Sequence, residues 1–272
     1  ERHFGAAGAF LGVVIGLLFA WSWAGFTGAL GLVAASVMAG GAVGYLTLRI
    51  QADEDEVPNP GRALRTAFEV TLDEAILAQM TLIAPARALK TDGERVVAEV
   101  HEALALYRDR GWLEKSSSYH QTPPTLDRVD LRPARVRGLA YEHLRFESGY
   151  EPHEGEPGRD RYLSYVPPRT AHAWVMLGLN LILPVLPLHG PRKIRRVSGD
   201  GMLSGDLLDT VHALAQTAWD LRRIVSWVRA QGATQIGVFG LSLGGYSTAL
   251  LAAFERDLAC AIAGIPATDF AR

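Results

Sequence analysis

Hydrophobic and polar positions divide the 272 residues into an uncharged N-terminal zone, a polar and helical middle zone, and a zone of short apolar runs. Between positions 4 and 48 there is no Asp, Glu, Lys, Arg or His. At about 1.5 Å per helical residue, that stretch is long enough to cross a hydrocarbon layer about 30 Å thick twice. It predicts a hairpin of two transmembrane helices, at 4–24 and 28–48, turning at Gly25-Phe26-Thr27. Trp21, Trp23 and Tyr45 fall where interfacial aromatics belong. Glycines 5, 8, 12 and 16, then 40, 41 and 44, recur at spacings that let two helices approach closely. A cleaved signal peptide is the competing reading, but its apolar core runs to about 7–15 residues and no second span follows it. Arg2, Arg49, Arg62 and Arg65 flank the pair while the turn carries no charge, so both ends and the domain that follows are expected on the cytoplasmic side of a bacterial inner membrane.

Beyond the hairpin, the acids at 53–56 with Pro58 and Pro60 predict a solvated linker. Phe68, Leu72, Ile76, Met80 and Ile83 recur at helical spacing, as do Val97, Val100, Leu104 and Tyr107, so residues 62–110 read as α-rich. A loop follows at 116–124, then an alternating strand at 135–147 and a shorter one at 162–166. The nearly continuous apolar run at 179–188 suits a strand buried on both faces. Residues 206–230 form a helix with the stripe Leu207, Val211, Leu214, Ala218, Leu221, Val225 and Val228, with Asp206 as N-cap and Gly232 as stop. Strand, helix and a further strand at 235–239 make a crossover, which implies a parallel sheet.

The chemistry-bearing motif is Gly240-Leu241-Ser242-Leu243-Gly244, between the strand at 235–239 and a helical segment at 245–254. This pattern is read as a nucleophile elbow, in which a serine sits on a strained turn with its side chain above the sheet. Gly240 and Gly244 are expected where strand and helix pass too closely for a β-carbon. On these residues the chain resembles the α/β-hydrolase superfamily over about 133–272, in a bacterial branch marked by the N-terminal hairpin and the Leu-Pro-Leu-His-Gly-Pro-Arg stretch at 186–192. The resemblance implies an α/β fold, an incomplete hydrolase-type, mostly parallel sheet with helices on both faces, preceded by two transmembrane helices. Three parts follow: the hairpin at 1–50, a linker and α-rich segment at 51–132, and the N-terminal part of a hydrolase domain at 133–272, cut after the strand at 259–265 that follows the elbow helix.

A neutral serine hydroxyl needs a histidine to take its proton and a carboxylate to hold that histidine. In this superfamily the chain order is Ser, acid, His. All eight histidines, at 3, 101, 120, 143, 153, 172, 189 and 212, precede Ser242. His189 fits a loop after a strand and His212 a helix between strands, so both read as structural. Asp257 and Asp269 come too early for the acid and read as surface or capping residues. The acid and base are expected beyond Arg272. One oxyanion donor is expected to be the backbone N–H of Leu243. The second normally comes from the loop after the third strand, yet His189-Gly190 reads as following the fourth, and 166–179 leaves no room for both an oxyanion loop and a parallel crossover. Either an internal piece is lost or the site is built differently.

Composition narrows the field. A net charge of −2 gives no reason to expect nucleic acid. Cys260, the single cysteine, sits in an apolar β-like run and reads as a buried core thiol. No metal or organic cofactor is implied. The expected function is a membrane-anchored serine hydrolase that cleaves a small-molecule or lipid ester through an acyl-enzyme on Ser242, with the 272 residues themselves nearly inert. The alternative is a non-catalytic, membrane-tethered binding module.

Overall fold

The computed structural model describes residues 91–266 apart from Leu203. The proposed hairpin, the linker and the stripe at 68–83 lie outside the described residues. In order, the elements are α1 (Gly93–Asp109), β1 (Asp130–Val136), β2 (Leu139–Glu147), α2 (Arg159–Ser164), β3 (Thr170–Met176), β4 (Leu181–Val185), α3 (Leu207–Ala230), β5 (Gly237–Leu241), α4 (Leu243–Phe254) and β6 (Cys260–Gly264). Among the described residues no helix is long and apolar enough to cross a membrane.

The strands form two sheets. β1 to β4 run as a four-stranded antiparallel meander, and β5 pairs with β6 in parallel. The expected mostly parallel sheet is therefore overturned. Local chemistry gives the reason. Arg137 and Gly138 both have positive φ, 47° and 84°, and close a two-residue turn between β1 and β2, so the single strand expected at 135–147 is a hairpin. Residues 177–180 then turn β3 straight back into β4, with Asn180 at φ 49°. The interval that seemed too short for a parallel crossover needs none, because it holds an antiparallel turn. The segment expected as a strand at 162–166 belongs instead to α2 and its end, with Tyr162 buried in the core.

One face of the meander carries Leu144, Phe146, Ala171, Ala173 and Val175, which close with Leu126 onto Ile224 and Trp227 of α3. A smaller cluster of Tyr162, Leu188, Met202 and Ala213 sits elsewhere along α3. α3 thus serves both cores, with a buried side that mixes Leu208, Ala213, Ala218, Ile224, Val225 and Trp227 with Asp209, His212, Gln216, Thr217 and Asp220, whereas Leu207 of the expected apolar stripe is exposed. Asp206 occupies the N-cap position, but its side chain caps nothing. It accepts instead from Arg95 at 2.6 Å and Arg161 at 2.9 Å. Arg161 also reaches Glu99 at 2.6 Å and Asp209 at 3.0 Å, so one guanidinium ties α1, α2 and α3 together. Burial alone would raise the Glu99 carboxyl, but the bonds from Arg161 and Arg95 outweigh it and hold it below its ordinary value.

Candidate active site

Ser242 stands between β5 and α4, with φ 52° and ψ −116°. A non-glycine residue in that region is strained, and such strain persists only where neighbours enforce it. Here the Ser242 N–H donates to Gly264 O at 3.0 Å, and its carbonyl accepts from the Tyr246 N–H at 3.0 Å. The turn is pinned at both ends. Its side chain is exposed, and among the described residues the hydroxyl makes no hydrogen bond.

The glycines divide the work differently from the motif's symmetry. A β-carbon at Gly240 would overlap the backbone carbonyl of Gly244, so position 240 has to be glycine. At Gly244 itself a β-carbon would meet nothing within 4 Å. The second close approach is at Gly245, where a β-carbon would lie 2.5 Å from Gly264 O and 3.1 Å from Pro266 Cα. The steric role expected of Gly244 is thus filled by its carbonyl and by Gly245.

Leu243 is the first residue of α4, where backbone N–H groups have no partner one turn earlier. Its amide points from the positive end of the helix, which suits a developing oxyanion. Its side chain packs against the cluster of Tyr162, Leu188, Met202 and Ala213. That contact brings the loop after β4 beside the elbow, as Leu188 is fully buried there with φ 65°. The loop's amides are already engaged: His189 N–H donates to Leu186 O at 3.2 Å and Gly190 N–H to Ser198 Oγ at 2.8 Å. Neither is free to be the second oxyanion donor.

None of the seven described histidines pairs with Ser242. His212 is wholly buried on α3, donates from Nε2 to Pro157 O at 3.0 Å, and is held below its ordinary value by burial against the pull of Glu156. His189 donates from Nδ1 to Pro187 O at 2.9 Å, with its ring against Gly199. His153 donates to Tyr119 O at 2.6 Å. His143 and His172 bond each other at 2.9 Å across β2 and β3. His120 lies against Phe254, and His101 is exposed on α1. Among the described residues no group of three or more His, Cys, Asp or Glu could hold a metal. Cys260 is exposed, against the expectation of a core thiol, because the β5–β6 face opposite α4 is uncovered among the described residues.

Sequence reasoning missed the polar network that fixes the loop after β4. Arg192 is 1% exposed and donates to Val185 O at 3.0 Å, Pro168 O at 2.8 Å and Asp220 Oδ2 at 2.7 Å. Asp220 also accepts from Ser148 Oγ at 2.6 Å, and Gln216 links Ser148 to Tyr162. An Arg ending a Leu-Pro-Leu-His-Gly-Pro run was the available signal, whereas Asp220 lies off the apolar stripe read from the sequence, on a buried face it shares with His212, Gln216 and Thr217.

No family model matches the chain. It is 36% identical over 251 residues to the uncharacterised protein MT2702 of Mycobacterium tuberculosis (strain CDC 1551 / Oshkosh). It is 35% identical over 251 residues to the uncharacterised protein Rv2627c of Mycobacterium tuberculosis (strain ATCC 25618 / H37Rv). Each match takes in 79% of this chain and 60% of the relative, so the chain spans less than two thirds of the length of the relatives it matches. Since 79% of 272 residues is fewer than the 251 positions compared, the relatives carry residues inside the match that this chain lacks.

Proposed function

We propose that the whole protein is a membrane-anchored serine hydrolase that cleaves a carboxylic ester through an acyl-enzyme on Ser242. The observation that carries this is the backbone of Ser242, strained at φ 52° and ψ −116° on a strand-to-helix turn that only glycine at 240 permits. Strain of about 1–3 kcal/mol clusters at active sites, and here it presents an exposed hydroxyl beside a helix N-terminus. The reading rests on the elbow and not on the main sheet, which is antiparallel.

In this reading Ser242 Oγ attacks the ester carbonyl, the Leu243 N–H receives the oxyanion, and a histidine outside the described residues takes the hydroxyl proton and returns it to the leaving alcohol. Residues 4–48 anchor the protein and leave the hydrolase part in the bacterial cytoplasm, where lipid esters are within reach. No cofactor is needed for the acyl transfer. The test is hydrolysis of a short-chain nitrophenyl ester by the whole protein: turnover that vanishes in Ser242→Ala supports the reading, and turnover unchanged in that variant refutes it.

A second reading has its own observation. With the His189 and Gly190 amides engaged and no described histidine near the hydroxyl, the site has the form of an elbow without its machinery, as a membrane-tethered binding module would. A whole protein that never hydrolyses esters, yet retains the strained turn, supports this alternative.

A further inference from the structure

The loop between β4 and α3 carries Arg192, Lys193, Arg195 and Arg196, against one carboxylate before Asp206, the half-buried Asp200. Arg192 is spent in the buried pair with Asp220. The other three are exposed, and none has a carboxylate partner among the described residues. The acids at the start of α3 do not compensate them, because Asp206 and Asp209 are taken by Arg95 and Arg161.

Exposed cations on a loop are ordinarily solvated and contribute little. Two observations separate this loop from that case. Ile194, between the cations, packs against the cluster of Tyr162, Leu188, Met202 and Ala213, the same cluster on which Leu243 of the elbow rests. The loop is also pinned: Gly199 N–H donates to Leu188 O at 3.0 Å, Gly190 N–H to Ser198 Oγ at 2.8 Å, and Lys193 Nζ to Arg196 O at 3.2 Å. The cations are thus carried on a fixed support that shares its apolar floor with the elbow. The fixed backbone sets where the side chains start, and the exposed guanidinium groups of Arg195 and Arg196 keep their donors for a phosphate, which an Arg fork can bind through two parallel bonds.

We infer that Lys193, Arg195 and Arg196 form a phosphate-recognition element of the Ser242 site, so that its substrate is an ester bearing a phosphate group. The word substrate rests on the proposed hydrolase reading, whereas the anion binding does not. Phosphate binding therefore survives in Ser242→Ala, and loss of ester turnover alone leaves it intact.

The experiment is calorimetric titration of the 272-residue chain, in uncharged detergent, with dihexanoyl phosphatidate and with dihexanoylglycerol, which has the same acyl chains and no phosphate. The phosphatidate is expected to bind about tenfold more tightly, as a few partly exposed charge contacts allow. Raising salt shrinks the preference by screening. The triple variant Lys193→Ala, Arg195→Ala, Arg196→Ala loses it, and the double variant Arg195→Ala, Arg196→Ala, which keeps the Lys193 bond to Arg196 O, weakens it while melting with the wild type. Competition by inorganic phosphate shows that the phosphate alone is recognised, and binding without such competition shows that the acyl glycerol is needed too. Equal affinity for the two lipids, or a preference that persists in the triple variant, overturns the inference.

Discussion

A β-carbon at position 240 would run into the carbonyl of Gly244, whereas one at 244 would meet nothing within 4 Å. The two motif glycines are therefore unequal, and mutation separates them. Gly240→Ala is expected to lower stability by about 2–3 kcal/mol, since only a backbone shift relieves the overlap. Gly244→Ala is expected to be neutral or to stabilise by up to about 1 kcal/mol, as for an unobstructed glycine in a helix. Denaturant midpoints of the two variants check this, and equal losses would contradict it. Cys260 offers a second test at this scale. Its exposure predicts rapid reaction with a thiol reagent in the native protein, and protection until unfolding would contradict the arrangement of β6. The strained serine and its glycine were legible in the sequence because both belong to one short motif. The role of Gly245 was not, because it depends on where β6 lies, and neither was the Cys260 environment, because an apolar run does not say which face is covered.

At the scale of elements, the helix at 207–230, the elbow strand and the elbow helix were legible from periodicity within about two residues. The antiparallel meander was not. Its two tight turns, Arg137-Gly138 and the one ending at Asn180, lack strong turn composition, and α2 is too short to show a helical period. The loop after β4 is held by the Arg192–Asp220 pair, both partners buried. Arg192→Met leaves Asp220 buried without its cation and is expected to cost about 3–5 kcal/mol. The double variant Arg192→Met, Asp220→Leu should recover much of that, as measured by chemical denaturation. A single-variant loss below about 1 kcal/mol would show that water satisfies Asp220 instead.

Two half-buried histidines, His172 within β3 and His120 in the loop before β1, give the pH dependence. Burial lowers His172 from 6.5 to about 4, with His143 adding to it, and burial with Arg222 does the same to His120. A folded value below the unfolded one means that the unfolded chain binds more protons between about pH 4 and 6.5. Stability contributed by the neutral rings is present above 6.5 and is lost as pH falls through that window. The melting temperature should accordingly drop from pH 6.5 to 4, and the variant His120→Gln, His172→Gln should show a shallower slope. Identical slopes would show that neither ring stays neutral through folding.

At the scale of the whole molecule, the described residues set an elbow on a parallel pair beside an antiparallel sheet, with α3 serving both cores. Ser242 has a position for attack and one candidate oxyanion donor, but no described base. The 272 residues alone are therefore expected to hydrolyse esters at least about 10⁴-fold more slowly than a complete triad enzyme, the usual cost of lacking a triad member. The most direct measurement is labelling of the whole protein with a fluorophosphonate, followed by mass spectrometry of its peptides, because only a serine activated by a neighbouring base reacts appreciably. A single adduct on the peptide that carries Ser242, absent from Ser242→Ala, is the predicted result. An adduct elsewhere, or labelling that persists in Ser242→Ala, would contradict Ser242 as the nucleophile.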